Sequence, residues 1–184
     1  MTMFLWSIGI VVVLAIFFLI YYNRFVRLIN QIENSFSQID VQLKKRADLV
    51  PNLVASVKGY MKHEAKIIDS VTNARKALVG AKDFGGKIRA GDQLQAAIGR
   101  LFAIAENYPN LKANENFLQL QQELSAIEDK VAYARQYYND GIMSYNTLST
   151  TIPGVWFGSI FNFKKKDYLQ IPEAERKAVK VDFE

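Results

Sequence analysis

The sequence predicts an all-α protein: an N-terminal transmembrane helix that continues into an antiparallel up-and-down helical bundle, with one long helical hairpin as the variant. Three observations predict it. No residue from Met3 to Tyr22 carries a charged side chain. Beyond Asn23 the apolar residues recur at steps of three and four, the period of a helix face. Breakers are sparse, with four prolines and ten glycines in 184 residues.

The span comes first. Leu5, Ile8, Ile10, the run Val11–Leu14, and Ile16 to Ile20 dominate it. Twenty helical residues cover ~30 Å, the thickness of the hydrocarbon layer. Each central Leu, Ile, Val or Phe favours insertion by roughly 0.3–0.6 kcal/mol, which offsets Ser7 and Gly9. Trp6 at one end and Tyr21 and Tyr22 at the other suit the two interfacial belts. A cleaved signal peptide would want a basic start and small residues before the cut. Here no Lys or Arg precedes the run, and Tyr21-Tyr22-Asn23-Arg24 follows it. Residues 1–23 are therefore read as a retained anchor. Arg24 and Arg27 flank its C-terminal end, followed by Lys44, Lys45 and Arg46. The positive-inside rule then puts the N-terminus outside and the helical domain in the cytoplasm.

Residues 24–152 are read as the bundle. Phe25, Leu28, Ile32, Phe36, Ile39 and Leu43 form a heptad seam of coiled-coil type. Pro51 is expected to kink this helix or to end it, with Asp48 as the cap of a new helix. Leu53, Val54, Val57, Tyr60, Met61, Ile67, Ile68, Val71, Ala74 and Leu78 continue the buried face. Four glycines between Gly80 and Gly91 are expected to stop the helix. A shorter helix is predicted from about Asp92 to Asn107, closed by Tyr108-Pro109-Asn110. In the last helix Asn114 is the N-cap. Phe117, Leu120, Leu124, Ile127, Val131, Ala134, Tyr138, Tyr145 and Leu148 face inward, and Pro153-Gly154 ends it. An even number of passes returns that end toward the bilayer.

Residues 153–184 form an aromatic and basic tail. Trp156, Phe157, Ile160, Phe161 and Phe163 make an apolar cluster too dense to leave in water. Lys164, Lys165 and Lys166 follow at once. The combination resembles interfacial anchors, which join apolar insertion to headgroup attraction. The tail, with Arg24 and Arg27, is the expected contact with lipid or with a partner chain. A plug for the open end of the bundle is the plainer alternative. Val179, Val181 and Phe183 form a short alternating run.

Several blocks are similar to the LemA family. They are Ser37-Gln38-Ile39-Asp40-Val41-Gln42-Leu43-Lys44-Lys45-Arg46, Asp48-Leu49-Val50-Pro51-Asn52-Leu53-Val54, Val57-Lys58-Gly59-Tyr60 and Lys62-His63-Glu64. Further on come Ala105-Glu106-Asn107-Tyr108-Pro109, Leu111-Lys112-Ala113-Asn114, Ala134-Arg135-Gln136-Tyr137-Tyr138-Asn139 and Tyr145-Asn146. The resemblance implies a bacterial membrane protein with one N-terminal span, a small external N-terminus and a cytoplasmic helical bundle. It implies no activity.

The chemistry the residues could carry is thin. There is no cysteine, which removes disulfides, thiol nucleophiles, thiolate metal sites and a lipidated cysteine. Lys62-His63-Glu64 starts like a zinc-protease helix, but the second histidine of His-Glu-x-x-His would fall at Ile67. Gly80 to Ile88 faintly resembles a phosphate loop, yet Ile88 stands where Ser or Thr must hold magnesium. No metal and no cofactor are expected. Arg24 to Val79 holds ten Lys or Arg against five Asp or Glu, while Lys112 to Ile152 holds three against five. Without interleaved exposed aromatics or a known module, this pattern does not point to nucleic acid. Attraction to anionic lipid headgroups, or packing of the basic arm against the acidic one, accounts for it better. The expected function is a membrane-anchored scaffold or interaction protein that self-associates through leftover seams, with an unidentified protein partner. A membrane-associated hydrolase built on His63 and Glu64 is the alternative.

Overall fold

The structure is a computed structural model and describes residues 2–169. Every regular element among them is a helix: α1 (Thr2–Lys58), α2 (Ala65–Gly80), α3 (Phe84–Ala105), α4 (Pro109–Lys112), α5 (Glu115–Thr150) and α6 (Gly154–Phe161). The described chain divides into two compact units, one of residues 2–36 and 135–169, the other of 37–134. The tail beyond residue 169, with its alternating Val179, Val181 and Phe183, lies outside the described residues.

In the second unit, the part of α1 from residue 37 onward, α2, α3 and the first half of α5 form an up-and-down bundle. Asp40 pairs with Lys87 at 2.6 Å, and Leu43 lies against Gly91, so α1 and α3 run the same way. Gln95 bonds Glu128, and Phe102 meets Phe117 edge-on at 5.7 Å, so α3 and α5 run oppositely. Ile39, Leu43, Val50, Leu53, Val57, Met61, Val71, Leu94, Ile98, Leu101, Leu111 and Leu124 are buried. This core is mostly aliphatic, at the three-four spacing expected of a packed helix face.

Pro51 does not end the helix and no new helix starts there: α1 is helical through it to Lys58. A proline in a helix interior has no N–H to give, so the carbonyl four residues earlier loses its donor. That carbonyl belongs to Ala47, which is buried. Arg75 of α2 takes the vacancy, its Nε donating to Ala47 O at 2.8 Å. Asp48 is exposed within α1 and caps nothing. The break falls instead at Gly59–Glu64, where Met61 stays buried while Tyr60 and His63 are exposed.

The glycine-rich stretch is also helical sooner than its composition suggests. Asp83 caps α3, its carboxylate accepting from Gly86 N at 2.8 Å, and the helix begins at Phe84 rather than near Asp92. Gly91 sits inside it because a Cβ there would come within 2.7 Å of Leu43 Cδ2. The propensity lost at that glycine, of order 1 kcal/mol, is offset by close packing of α3 on α1. Arg46, 2% exposed, reaches the same place, with Nη1 3.5 Å from Gly91 O. Asn114 caps α5 as expected, accepting from Phe117 N at 3.1 Å.

In the first unit, α1 and the end of α5 run antiparallel. Phe25 meets Tyr145 edge-on at 5.8 Å, and Gly141 lies against Ile32. The core is richer in aromatics: Phe25, Ile32, Ile142, Tyr145, Leu148 and Phe157 are buried, flanked by Tyr21, Tyr138, Phe161 and Phe163. The α5–α6 corner requires Gly154, whose Cβ would lie 1.9 Å from Leu148 O.

Candidate membrane-proximal site

By length and composition α1 is apolar enough near its N-terminus to cross a membrane, and none of that apolar stretch is buried within the protein. A soluble core helix of this composition would be covered. At its C-terminal end the aromatic tail folds back as α6. Phe157 stacks on Tyr21 at 5.3 Å and lies 5.5 Å from Phe18. Phe161 meets Phe18 at 5.7 Å and Tyr22 at 5.4 Å, and Phe163 stacks on Phe25 at 4.6 Å. The tail cluster therefore splits. Phe157, Phe161 and Phe163 pack against α1, while Trp156 and Ile160 stay 59% and 69% exposed.

After α6 the chain turns at Asn162, whose φ of 57° is the left-handed conformation that ends the helix. Residues 163–169 then leave the helix: Phe163 N still donates to Gly158 O at 2.9 Å, but the backbone beyond Lys164 has no helix partners. Two asparagines of α5 supply them. Asn146 donates from Nδ2 to Lys166 O at 2.8 Å and accepts from Lys166 N, also at 2.8 Å. Asn139 does the same for Leu169, at 3.1 and 2.9 Å. The registers match: seven helical residues rise ~10.5 Å, and three extended residues span ~10 Å. One carboxamide face thus satisfies both polar groups of a residue, as a neighbouring strand would. Both asparagines lie in blocks singled out from the sequence, but nothing local marked them as partners of the tail.

The basic residues separate as well. Lys164 and Lys165 are exposed, whereas Lys166 is held by its backbone and places Nζ 5.4 Å from the centre of the Tyr145 ring. Burial raises the Tyr145 phenol above its ordinary pKa. Arg24 and Arg27 are exposed. Arg24 lines a cavity of about 420 Å³ with Tyr21, Met143, Ser144, Thr147, Leu148, Thr151 and Ile152.

His63 and Glu64 lie in the turn between α1 and α2. Glu64 accepts from the Tyr108 hydroxyl at 3.1 Å, and His63 is exposed. Desolvation, then the Glu64 carboxylate, raises the Tyr108 phenol above its ordinary pKa. Among the described residues no group of three or more His, Asp or Glu is placed to hold a metal ion.

These features define an all-helical protein with, among the described residues, one helix apolar enough to cross a membrane, against which the tail aromatics Phe157, Phe161 and Phe163 pack. The LemA family model matches residues 35–183, and the chain belongs to the LemA family. Its relatives include Magnetosome protein MamQ of Magnetospirillum gryphiswaldense, 25% identical, with 80% of this chain and 64% of that protein covered. Magnetosome protein MamQ 2 of Paramagnetospirillum magneticum is 26% identical over 81% of this chain and 64% of its own length. Protein LemA of Metamycoplasma hominis is 27% identical over 78% of this chain and 68% of its own. The chain thus spans just under two thirds of the length of the magnetosome relatives.

Proposed function

We propose that this protein is a single-span anchor of the bacterial inner membrane, with its N-terminus outside and its helical domain in the cytoplasm, serving as a scaffold for copies of itself or for a partner. The observation that carries the reading is α6. It packs Phe157 and Phe161 on Phe17, Phe18, Tyr21 and Tyr22 of the apolar helix and leaves Trp156 and Ile160 exposed, a few residues before the exposed Lys164 and Lys165. Exposed aromatics with lysines next to a membrane-length helix are the composition of an interfacial segment. The heptad positions of α1 support self-association less than their spacing suggested, because Ile39, Leu43, Val50 and Val57 are already buried within the chain. Copies would pair through apolar side chains left outside, such as Val41, Val79 and Leu118. A hydrolytic role has less in its favour, with Glu64 engaged by Tyr108 and His63 solvated.

A reporter fused after Glu184 tests the orientation. Activity of the cytoplasm-dependent form alone is expected, and activity of the periplasm-dependent form would reverse it. Crosslinking in native membranes tests the scaffold role: adducts of two copies, or of one copy and another protein, are expected, and only uncrosslinked monomer would count against it.

A further inference from the structure

We propose that the cavity beside Arg24 is a binding site for the phosphodiester headgroup of a membrane phospholipid. The inference rests on the reading of α1 as a membrane span. Arg24 lies two residues beyond Tyr22, at the depth where headgroup phosphates sit if residues 3–22 fill the hydrocarbon layer. The cavity, about 420 Å³, falls within the roughly 300–1,000 Å³ of small-molecule sites. No carboxylate lines it.

Three of its polar side chains, Arg24, Ser144 and Thr147, make no hydrogen bond or ion pair with the described residues. Arg24 carries no ion pair among the described residues. Most hydroxyls on the helices donate back to a carbonyl three or four residues earlier, as Ser149, Thr150 and Thr151 do. The hydroxyls of Ser144 and Thr147 make no such bond and line the cavity. With Thr151 they occupy positions i, i+3 and i+7 of one α5 face. A guanidinium and two unused hydroxyls suit an anionic phosphoryl group, because charge-assisted bonds to phosphate are among the stronger hydrogen bonds. The remaining wall, Tyr21, Met143, Leu148 and Ile152, is apolar enough to lie along the glycerol and the first methylenes of a lipid. A soluble anion would gain nothing from it.

Native mass spectrometry of the full chain, released from an uncharged detergent, tests this with dioleoylphosphatidylglycerol, dioleoylglycerol and inorganic phosphate as probes. One phosphatidylglycerol per chain should be retained, and neither dioleoylglycerol nor phosphate at the same concentration. Arg24→Gln should lower retention about tenfold, the loss of one charge-assisted contact. Arg27→Gln, equally exposed but outside the cavity, should not change it. Ser144→Ala with Thr147→Val should lower it several-fold while the circular dichroism stays that of the parent. Equal losses for Arg24→Gln and Arg27→Gln would reduce the site to diffuse charge attraction and overturn the proposal. So would retention of dioleoylglycerol, which needs only an apolar slot, or of free phosphate, which needs no membrane. Alkaline extraction of the parent chain separates the two readings. If it stays with the membranes, lipid results of the wrong pattern overturn this site alone; if it is released, the span and the site fall together.

Discussion

The two units face the same problem, backbone polar groups that a helix cannot satisfy, and meet it differently. In the bundle around Pro51 the disturbance is one carbonyl, Ala47 O, inside an otherwise regular helix. A single charged donor, Arg75 Nε, fills it. Beside the apolar helix the disturbance is a whole segment outside any helix or strand. There Asn139 and Asn146, each donor and acceptor at once, satisfy Lys166 and Leu169 in both directions. The comparison shows why the two side-chain types are not interchangeable. Arginine cannot accept, so it can mend a carbonyl but cannot hold a strand. An amide can do both, and pairs placed seven apart on a helix keep register with residues three apart in an extended chain.

The largest expected effect is on the aliphatic core of the second unit, where the Pro51 device sits. Leu124→Asp places an unpaired charge among buried side chains and should cost several kcal/mol. Gln122→Ala, exposed on the same helix, should cost little. Equal thermal midpoints for the two would break the assignment of that face.

Next come the asparagines. Asn146→Ala leaves the N–H and C=O of Lys166 without their partner and should cost roughly 1–3 kcal/mol locally. Limited trypsin digestion reads this directly. Cleavage after Lys164 and Lys165 should accelerate in Asn146→Ala, and more in the double variant with Asn139→Ala. Unchanged digestion would mean the tail is held by its aromatic residues alone.

The Pro51 device sharpens the comparison further. Arg75→Ala should cost about 1–3 kcal/mol in the parent, because Ala47 O is left buried and unmet. In a Pro51→Ala background the helix N–H returns, and the same substitution should cost markedly less. A double-mutant cycle in denaturant measures that coupling. Additive effects would mean that Arg75 acts through something other than the proline.

The smallest effect is alkaline. Burial raises the phenols of Tyr138 and Tyr145 in the first unit, and desolvation with Glu64 raises Tyr108 in the second. A folded pKa above the unfolded value means the unfolded chain gives up its proton first. Stability contributed by these groups is therefore full below pH ~10 and is lost as pH rises through the folded values. Tyr145→Phe should flatten that decline, as followed by the denaturation midpoint between pH 9 and 11. An unchanged slope would exclude Tyr145 as a contributor.

Much of this architecture was legible in the sequence because helix periodicity and capping are local signals. The inward faces of α1 and α5, the Asn114 cap and the apolar segment all follow from spacing within a few residues. What escaped depends on partners far along the chain. Pro51 announces a break by itself, and the side chain that meets the carbonyl it leaves unpaired, Arg75, comes twenty-four residues later. Gly91 looks like a helix breaker until Leu43 occupies the space its missing side chain leaves. Asn139 and Asn146 read as ordinary polar helix residues, and the segment they hold lies twenty or more residues downstream. At the membrane-proximal site, Trp156 and Lys164 were visible as an interfacial composition. Composition alone could not separate the aromatics that pack on α1 from those that face outward. Ser144 and Thr147 carried no signal, since a lone helix hydroxyl is unremarkable until its neighbours are seen to donate inward.

The central claim is that α6 lies at the membrane surface beside the end of the span. Fluorescence of Trp156 tests it most directly, in a full-length Trp6→Phe variant reconstituted in vesicles so that one indole reports. The account predicts protection from an aqueous quencher together with quenching by bromine placed shallowly on the lipid chains. Free access to the aqueous quencher, with no effect of the brominated lipid, would contradict it.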